Sequence, residues 1–489
     1  MKKLLLFIFY PIVVFSQFQI GNDIDGLTAG DFSGQSVSIN SAGNIIAIGA
    51  LYNYSGGNGI GEGYVRIYEN INNEWIQLGQ TILGEFIGDQ FGQSVSLNSS
   101  GNIIAIGANA SSENGTASGN VRIYQYNNNF WSQLGQNIEG ESSFDQSGIS
   151  VSLNFDGDII AIGAWENDGN GEGSGHARVY EFNGINWIQK GLDIDGENPG
   201  DRSGWSVSLN SSGNNVAIGA LFNDGNGDGS GHVRVYEFSG TNWTQKGLDI
   251  DGENPGDRLG WSVNLDASGN YLVASSDLNS DNEQYSGQVI VYQFINSNWL
   301  QIGSDLNGEF EMDAFGTSVS LSGDGLILAV GAAGNDNNGN DSGYVRIYNL
   351  ENSDWVHLTD IDGEFPGDLC GNNIELSENG EILIVGAVRN DGNGENSGHA
   401  RVYDLSSVLS TASFKQDYFS YHPNPVEDVL NINLNPGLEL KQVNIYNNLG
   451  QYLYSTKTTR IDVSNLNNGL YFVEVKTDQG KSTKKIVIE

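Results

Sequence analysis

One unit of about 56 residues recurs seven times along this chain, and that period limits the possible folds more than any other feature. A glycine followed by x-S-V-S-L-N or a close variant marks each copy, at Gly34, Gly92, Gly148, Gly204, Gly260, Gly316 and Gly371. Successive anchors lie 58, 56, 56, 56, 56 and 55 residues apart. A tryptophan keeps the same beat at Trp75, Trp131, Trp187, Trp243, Trp299 and Trp355, every step being 56. Each copy contains four short runs of strand character. In the fourth, residues 206–210 alternate polar and apolar, and 215–220 are nearly all apolar, as in a strand buried on both faces. Residues 233–236 are β-branched and aromatic, and 243–246 form the last run. Gly, Asn, Asp and Ser separate the runs, and no helical period is present.

A four-stranded unit buries its two faces against its neighbours, so seven copies close most economically into a ring. The predicted fold is all-β, a seven-bladed β-propeller followed by a small β-sandwich; an open solenoid is the alternative architecture. The seventh copy ends at 400–403 and supplies no tryptophan strand. The segment QFQIG after the N-terminal leader matches the WIQLG strand, with Gln19, Ile20 and Gly21 aligned on Gln77, Leu78 and Gly79. Residues 17–21 are therefore expected to complete the last blade and remove its open edge. The domain boundaries follow: 1–16 leader, 17–405 propeller, 406–418 small-residue linker, 419–489 C-terminal domain.

The leader MKKLLLFIFYPIVVFSQ has a basic start and twelve apolar residues from Leu4 to Phe15, too few to span a bilayer. It reads as a secretory signal cleaved between Ser16 and Gln17, a buried strand being the alternative. No later segment approaches 18 apolar residues, so no transmembrane segment is expected in the mature chain.

Hydrophobic residues make up 38% of the chain, enough for a core, and 67 glycines against 7 prolines imply many tight turns. Cys370 is the single cysteine, which excludes an intrachain disulfide, a CxxC zinc site and an iron–sulfur cluster. The net charge is −39. Residues 18–411 carry 11 basic and 52 acidic side chains, whereas 412–489 carry 8 of each. Such a charge repels nucleic acid and anionic lipid and favours divalent cations, basic partners or neutral glycans. Antiparallel strands put the second–third loop and the crossover to the next blade on one face. Both are long and acidic; in copy four they carry Asp193, Asp195, Glu197 and Asp201, then Asp224 and Asp228.

Asp224-Gly225-Asn226-Gly227-Asp228-Gly229 fits the first half of a calcium loop, in which alternate oxygens converge as glycine turns the chain. Asp168-Asn170-Glu172 and Asp391-Asn393-Glu395 are weaker copies. Val235 stands where a closing acid belongs, and Asn-Gly and Asp-Gly also form plain turns. Calcium binding and a turn-only role both stand as readings. Two features recur in the copies: an Asp three residues before each anchor glycine, and an Arg in the third strand of six copies, with Ile290 the exception. Features kept in every blade suit a scaffold role, the Asp capping backbone N–H groups and the Arg pairing with carboxylates between blades. Trp165, Phe222 and Tyr52 follow the second strand and suit either sugar stacking or packing between blades.

The repeats resemble the FG-GAP family of propeller repeats, known from integrin-type heads. Phe91-Gly92-Gln93-Ser94-Val95 and Phe315-Gly316-Thr317-Ser318-Val319 carry the first half of that motif, and Ile106-Gly107-Ala108 and Val330-Gly331-Ala332 the second. The resemblance covers roughly 18–403. No Pro follows the Gly-Ala, and short turns such as Asn98-Ser99-Ser100-Gly101-Asn102 replace the family's calcium loop, so its metal site is not carried over there.

Residues 419–489 resemble the type A C-terminal sorting domain of the type IX (Por) secretion system. The matching blocks are Tyr421-His422-Pro423-Asn424-Pro425-Val426, Asp428-Val429-Leu430-Asn431-Ile432, Val443-Asn444-Ile445-Tyr446-Asn447 with Leu449-Gly450, Leu466 through Gly469-Leu470-Tyr471-Phe472-Val473, and the terminal Lys484-Lys485-Ile486-Val487-Ile488-Glu489. That resemblance implies export through the periplasm, recognition by the outer-membrane translocon, removal of the domain, and release or surface attachment of the cargo.

The expected function is a secreted or surface-displayed binding or adhesion module acting through its acidic loop face on a glycan or protein ligand, as a monomer. A structural surface protein and, more remotely, a carbohydrate-active enzyme are the alternatives. No H-E-x-x-H and no G-x-S-x-G with triad partners is present, the copies are close to interchangeable, and no catalytic residue is assigned. His176, His232 and His399 share one position in their copies, and His357 and His422 stand alone. Calcium is the one cofactor the residues suggest.

Overall fold

Each repeat folds as an antiparallel four-stranded sheet in the computed structural model, which describes residues 18–52, 61–413, 419–426, 428–435, 438–447, 451–477 and 481–488. The leader with Ser16 and Gln17, and Gly450 of the sorting blocks, lie outside these residues. The chain forms two units, Met1–Leu405 and Ser406–Glu489. The first is the seven-bladed propeller. In blade 4 the strands are Ser203–Leu209, Asn215–Ala220, His232–Phe238 and Trp243–Gln245. The two-residue strand Ile250–Asp251 then doubles back along the start of the third.

The second strand is buried along its whole length because both its faces meet neighbouring blades, which explains its apolar sequence. Between blades 3 and 4, Ile159, Ala161 and Val179 pack against Val207, Val216 and Ile218. The first strand begins three residues earlier than its alternating pattern suggests, across a bulge between Ser203 and Ser206 that contains the anchor glycine. Gly204 has φ 88°, and a Cβ there would fall 2.2 Å from the His176 carbonyl oxygen, so this position requires glycine.

Two sets of bonds tie neighbouring blades together, the first wherever the fourth strand carries a tryptophan. The fourth-strand tryptophan donates Nε1–H to a carbonyl at the end of the preceding blade: Trp131 to Leu78 (2.8 Å), Trp187 to Leu134 (2.8 Å) and Trp299 to Lys246 (2.7 Å). Nearer the axis, a side chain four residues after the anchor accepts a backbone N–H from the following blade. Ser38 accepts from Leu97, Ser96 from Leu153, Ser152 from Leu209, Ser208 from Leu265, Asn264 from Leu321 and Ser320 from Leu376, all between 2.8 and 3.0 Å.

Both sets continue across the chain ends. Phe18–Gln19 pairs antiparallel with the third strand of blade 7, Phe18 opposite Asp404 and Gln19 opposite Tyr403. Trp75 Nε1 donates to Ile20 O at 2.8 Å, and Glu375 Oε2 accepts from Ile39 N at 2.9 Å. The seam between blades 7 and 1 thus carries the same two kinds of bond as the junctions from blade 1 through blade 6.

The second unit opens with the helix Ser406–Ser413, within the stretch read from its small residues as a linker; Ser410 Oγ donates back to Ser407 O at 2.9 Å. Two sheets follow. One orders Phe419–His422, Val429–Leu434 and Arg460–Asp462; the other orders Tyr452–Thr456, Leu440–Asn447, Gly469–Thr477 and Lys481–Ile488. Phe419, Leu430, Ile432, Val443, Val473 and Ile486 belong to the core between them.

Candidate functional site

The seven first strands wall an axial channel with a cavity of about 330 Å³. Two residues after the anchor, its wall presents Ser36, Ser94, Ser150, Ser206, Ser262 and Ser318, with Asn373 in blade 7. Glu375 is the one carboxylate among the described lining residues. It stands where six blades carry Ser or Asn, and its acceptor role at the seam accounts for it: it reaches the backbone of blade 1. Burial raises its carboxyl to about 7 against the opposing hydrogen bonds from Ser38 and Ile39.

The ring departs from its own repeat at the loop-bearing end of this channel. The residue after the anchor is Gln35, Gln93, Ile149, Trp205, Trp261, Thr317 and Asn372 in blades 1 to 7. Trp205 and Trp261 both line the channel, with ring centroids 5.0 Å apart. Trp165, at the end of the second strand of blade 3, meets Trp205 edge-on at 4.9 Å. The Arg202 guanidinium lies 5.4 Å from the Trp165 ring and pairs with Glu166. Trp261 Nε1 donates to Thr317 O at 3.0 Å, whereas Trp165 Nε1 is buried with no hydrogen-bond partner among the described residues. All three indoles are half-buried, so an arc of aromatic surface opens over blades 3 to 5.

Sequence reasoning identified Trp165 but missed Trp205, Trp261 and Glu375. The available signal was departure from the repeat at the positions just after the anchor. Of the other aromatics, Tyr52 packs edge-on against Phe32 at 5.9 Å. Phe222 lies under the Arg258 guanidinium at 4.9 Å and lines a second cavity of about 600 Å³ with Asp228 and Tyr285.

The acidic loops have turn geometry. Asp224 Oδ1 accepts from Gly229 N at 2.8 Å, Asp168 Oδ1 from Gly173 N at 2.7 Å, and Asp391 Oδ1 from Asn396 N at 2.7 Å. Asn226 turns its amide to Gly252 O and Glu253 O, Asn170 to Gly196 O and Glu197 O, and Asn393 to Gly26 O and Leu27 O. These asparagines therefore staple each loop to the neighbouring crossover. Asp228 lines the cavity beside Phe222, and Glu172 and Glu395 are exposed on the same loop face.

The repeated Asp and Arg also hold loops together. Asp201 Oδ2 accepts from Asn198 N at 3.0 Å and Asn223 Nδ2 at 2.9 Å; Asp145, Asp313 and Asp368 do the same in their blades. Arg178 and Arg234 reach the Glu139 and Asp195 carbonyls of the preceding blade's crossover strand. Arg122 pairs with Glu85 and Glu113 at 3.0 Å each. Like charges are crowded at this face: burial, then Asp193, holds the Asp195 carboxyl above the ordinary carboxylate range.

In the C-terminal unit, Asn424 Oδ1 accepts from Val487 N at 2.8 Å, and Tyr421 O–H donates to Lys485 O at 2.6 Å. Pro423 and Pro425 flank Asn424, so this block is clamped against the last strand. Tyr471 O–H donates to Asn467 O at 2.8 Å, closing the turn before Gly469, and Lys484 lies 5.4 Å from the Phe419 ring.

Residues 420–489 match the family model of the secretion system C-terminal sorting domain. The C-terminal unit is a sorting domain. It directs export by the type IX system to the cell surface or into the medium. Residues 309–348, spanning blade 6 from its entry loop into its third strand, match the FG-GAP repeat. No curated protein matches the chain. Among the described residues no helix is long and apolar enough to cross a membrane.

Proposed function

We propose that the sorting domain delivers a propeller that binds a neutral glycan at the aromatic arc of Trp165, Trp205 and Trp261, and that the exported module serves adhesion or capture. The observation that carries this reading is the concentration of non-repeating aromatic residues at one channel mouth, in a ring whose wall otherwise repeats the same serine and valine positions in nearly every blade. Indole faces accept the C–H faces of a pyranose while its hydroxyls meet the serines, Thr317 and Asn372 nearby. The surrounding carboxylates disfavour polyanions. Binding rather than hydrolysis is supported by Glu375 being the one carboxylate among the described residues of that cavity, because most glycosidases place two across the scissile bond.

A glycan array followed by calorimetry on the full chain tests this. Trp205→Ala and Trp261→Ala are each expected to weaken the best ligand at least about tenfold, or ~1.4 kcal/mol, with the melting temperature preserved. Undiminished binding in both variants would remove the arc from the reading. Release of reducing sugar from the bound glycan would replace a binding module with an enzyme. Calcium at the Asp224, Asp168 and Asp391 loops is a separate proposal. It requires calcium to raise the melting temperature more than sodium chloride at equal ionic strength, and an equal effect of the two salts would leave these loops as turns.

A further inference from the structure

His232 is fully buried, and among the described residues neither ring nitrogen has a hydrogen-bond partner. A buried imidazole with two orphaned nitrogens calls for a water or an ion. The ring opens the third strand of blade 4, and its donor atom lies within 4.8 Å of one carboxylate oxygen each from Glu197 and Asp249. Glu197 comes from the crossover entering the blade and Asp249 from the one leaving it. Arg234 takes Glu197 Oε1 at 3.4 Å, which leaves Oε2 facing His232 Nδ1 at 4.0 Å. Gln245 donates to Asp249 Oδ1 at 2.5 Å, holding that side chain and leaving its second oxygen. Blade 3 repeats the set with His176, Glu141 and Asp193, again with His176 Nδ1 buried and without a hydrogen-bond partner among the described residues, and with Gln189 on Asp193 Oδ1.

We propose that these two triads, Glu141–His176–Asp193 and Glu197–His232–Asp249, are binding sites for a first-row divalent transition ion such as Zn²⁺. One imidazole nitrogen and two carboxylate oxygens with coordination positions left open is a zinc-type donor set; calcium and magnesium prefer oxygen alone. Burial, reinforced by the adjacent arginine, keeps both rings neutral near pH 7 and therefore able to donate a lone pair. Side-chain shifts of about an ångström bring donors this close to the ~2.0–2.2 Å bonds zinc requires.

Blade 7 is the internal control. His399 occupies the equivalent position, 3.9 Å from Asp23 and Asp25, but Arg401 binds both oxygens of Asp23, Nε to Oδ1 at 2.9 Å and a terminal nitrogen to Oδ2 at 2.6 Å, and pairs with Glu364. A guanidinium there holds the carboxylates a metal would use, so the structure assigns two sites and not three.

The test uses the full chain, stripped with EDTA, loaded with Zn²⁺ and desalted, with metal counted by mass spectrometry and affinity measured by calorimetry. Two equivalents are expected, one in His232→Gln, and two in His399→Gln. Because a buried substitution can unfold the chain, Asp193→Asn with Asp249→Asn serves as a second variant on partly exposed side chains. It is expected to lose at least about tenfold in affinity at both sites, since even outer-shell changes cost this much. Co²⁺ loaded in place of zinc is expected to give visible ligand-field bands that disappear in the His176→Gln, His232→Gln double variant. Fewer than one equivalent in the parent chain, unchanged binding in the Asp pair, a loss in His399→Gln, or displacement by equimolar Ca²⁺ would each overturn the assignment.

Discussion

Deleting residues 17–21 is expected to destabilise the propeller by about 3–5 kcal/mol and to lower its melting temperature by many degrees. The deletion removes the pairing of Phe18 and Gln19 with Asp404 and Tyr403, and the Ile20 N to Val402 O bond at 2.8 Å. It strips Ile20 from the cluster it shares with Val37, Tyr68 and Val402. It also leaves Trp75 Nε1 without the Ile20 carbonyl, a half-buried donor with its partner gone. Each hydrogen bond contributes roughly 1 kcal/mol net, a fully buried isoleucine ~1.5–3, of which the partly buried Ile20 supplies a share, and an orphaned donor costs about 1–3. Removal also frays the next segment, where Asp23 pairs with Arg401 and Ile24 lies opposite Ala400. Calorimetry on the deletion and parent chains reads the result. An unchanged melting temperature would mean that the last blade is complete without this strand. Restoring the segment as a free peptide is expected to recover part of the loss, because its contacts are all made to a preformed edge.

The second large effect is an acid transition set by three buried imidazoles. His176, His232 and His399 are 1%, 0% and 4% exposed. Burial, then the neighbouring Arg178, Arg234 and Arg401, depresses each ring from 6.5 to about 4. Asp193, Asp249, Asp23 and Glu364 oppose the shift without cancelling it. With the folded-state value lowered, the unfolded chain binds more protons across this window. Stability is therefore fully present above about pH 6.5 and is lost as the pH falls towards 4. At the limit of full burial each ring contributes on the order of 3 kcal/mol, so the three together dominate the acid limb. Glu375 acts in the opposite sense: its raised carboxyl makes the folded chain the better proton acceptor between about 4.5 and 7, so this group loses stability as the pH rises. The general repulsion among carboxylates also eases on acidification. The histidine effect is thus read as a difference between chains. In EDTA, a variant with asparagine at all three positions, the residue blade 2 itself carries as Asn120, is expected to keep its melting temperature from pH 7 to 5 while the parent falls. Glu375→Gln is expected to gain on the order of 1–2 kcal/mol at pH 8, less than full burial implies because the channel carries solvent, and nothing near pH 4. Parallel curves for the parent and the triple variant would show that these rings titrate normally.

The blades themselves were legible because a propeller is an arithmetic fold. A period near 56, four runs of alternating or fully apolar character per period and a glycine at one fixed place leave little freedom. The fully buried second strand reads as Asn215–Ala220 in both sequence and structure. The first strand of blade 4 begins at Ser203 rather than Ser206 because the bulge carries Gly204 within the strand, and an alternation pattern does not register a bulge. The sorting blocks were legible for a different reason: their order and spacing are specific to a family.

The amino-acid sequence alone determined how many blades there are, which residues repeat, where the negative charge lies and how the chain is addressed for export. These follow from period, composition and local pattern, all carried by neighbours along the chain. Tertiary structure decided which departures from the repeat meet one another. Trp165 belongs to blade 3, Trp205 to blade 4 and Trp261 to blade 5, about 40 and 56 residues apart in sequence, yet their rings lie about 5 Å apart because blades converge towards the axis. His232 meets Asp249 because the crossover leaving blade 4 doubles back along its third strand, and Glu197 because the crossover entering it runs along the third strand of the neighbouring blade 3. The third histidine differs from the other two through the arginine two residues on, whose guanidinium grips both oxygens of Asp23 in blade 7, whereas in blades 3 and 4 it bonds a backbone carbonyl and one oxygen of Glu141 or Glu197 and leaves Asp193 and Asp249 to other partners. That difference is one of distance and direction, and neither is written in a repeat that places the same two residue types at the same spacing.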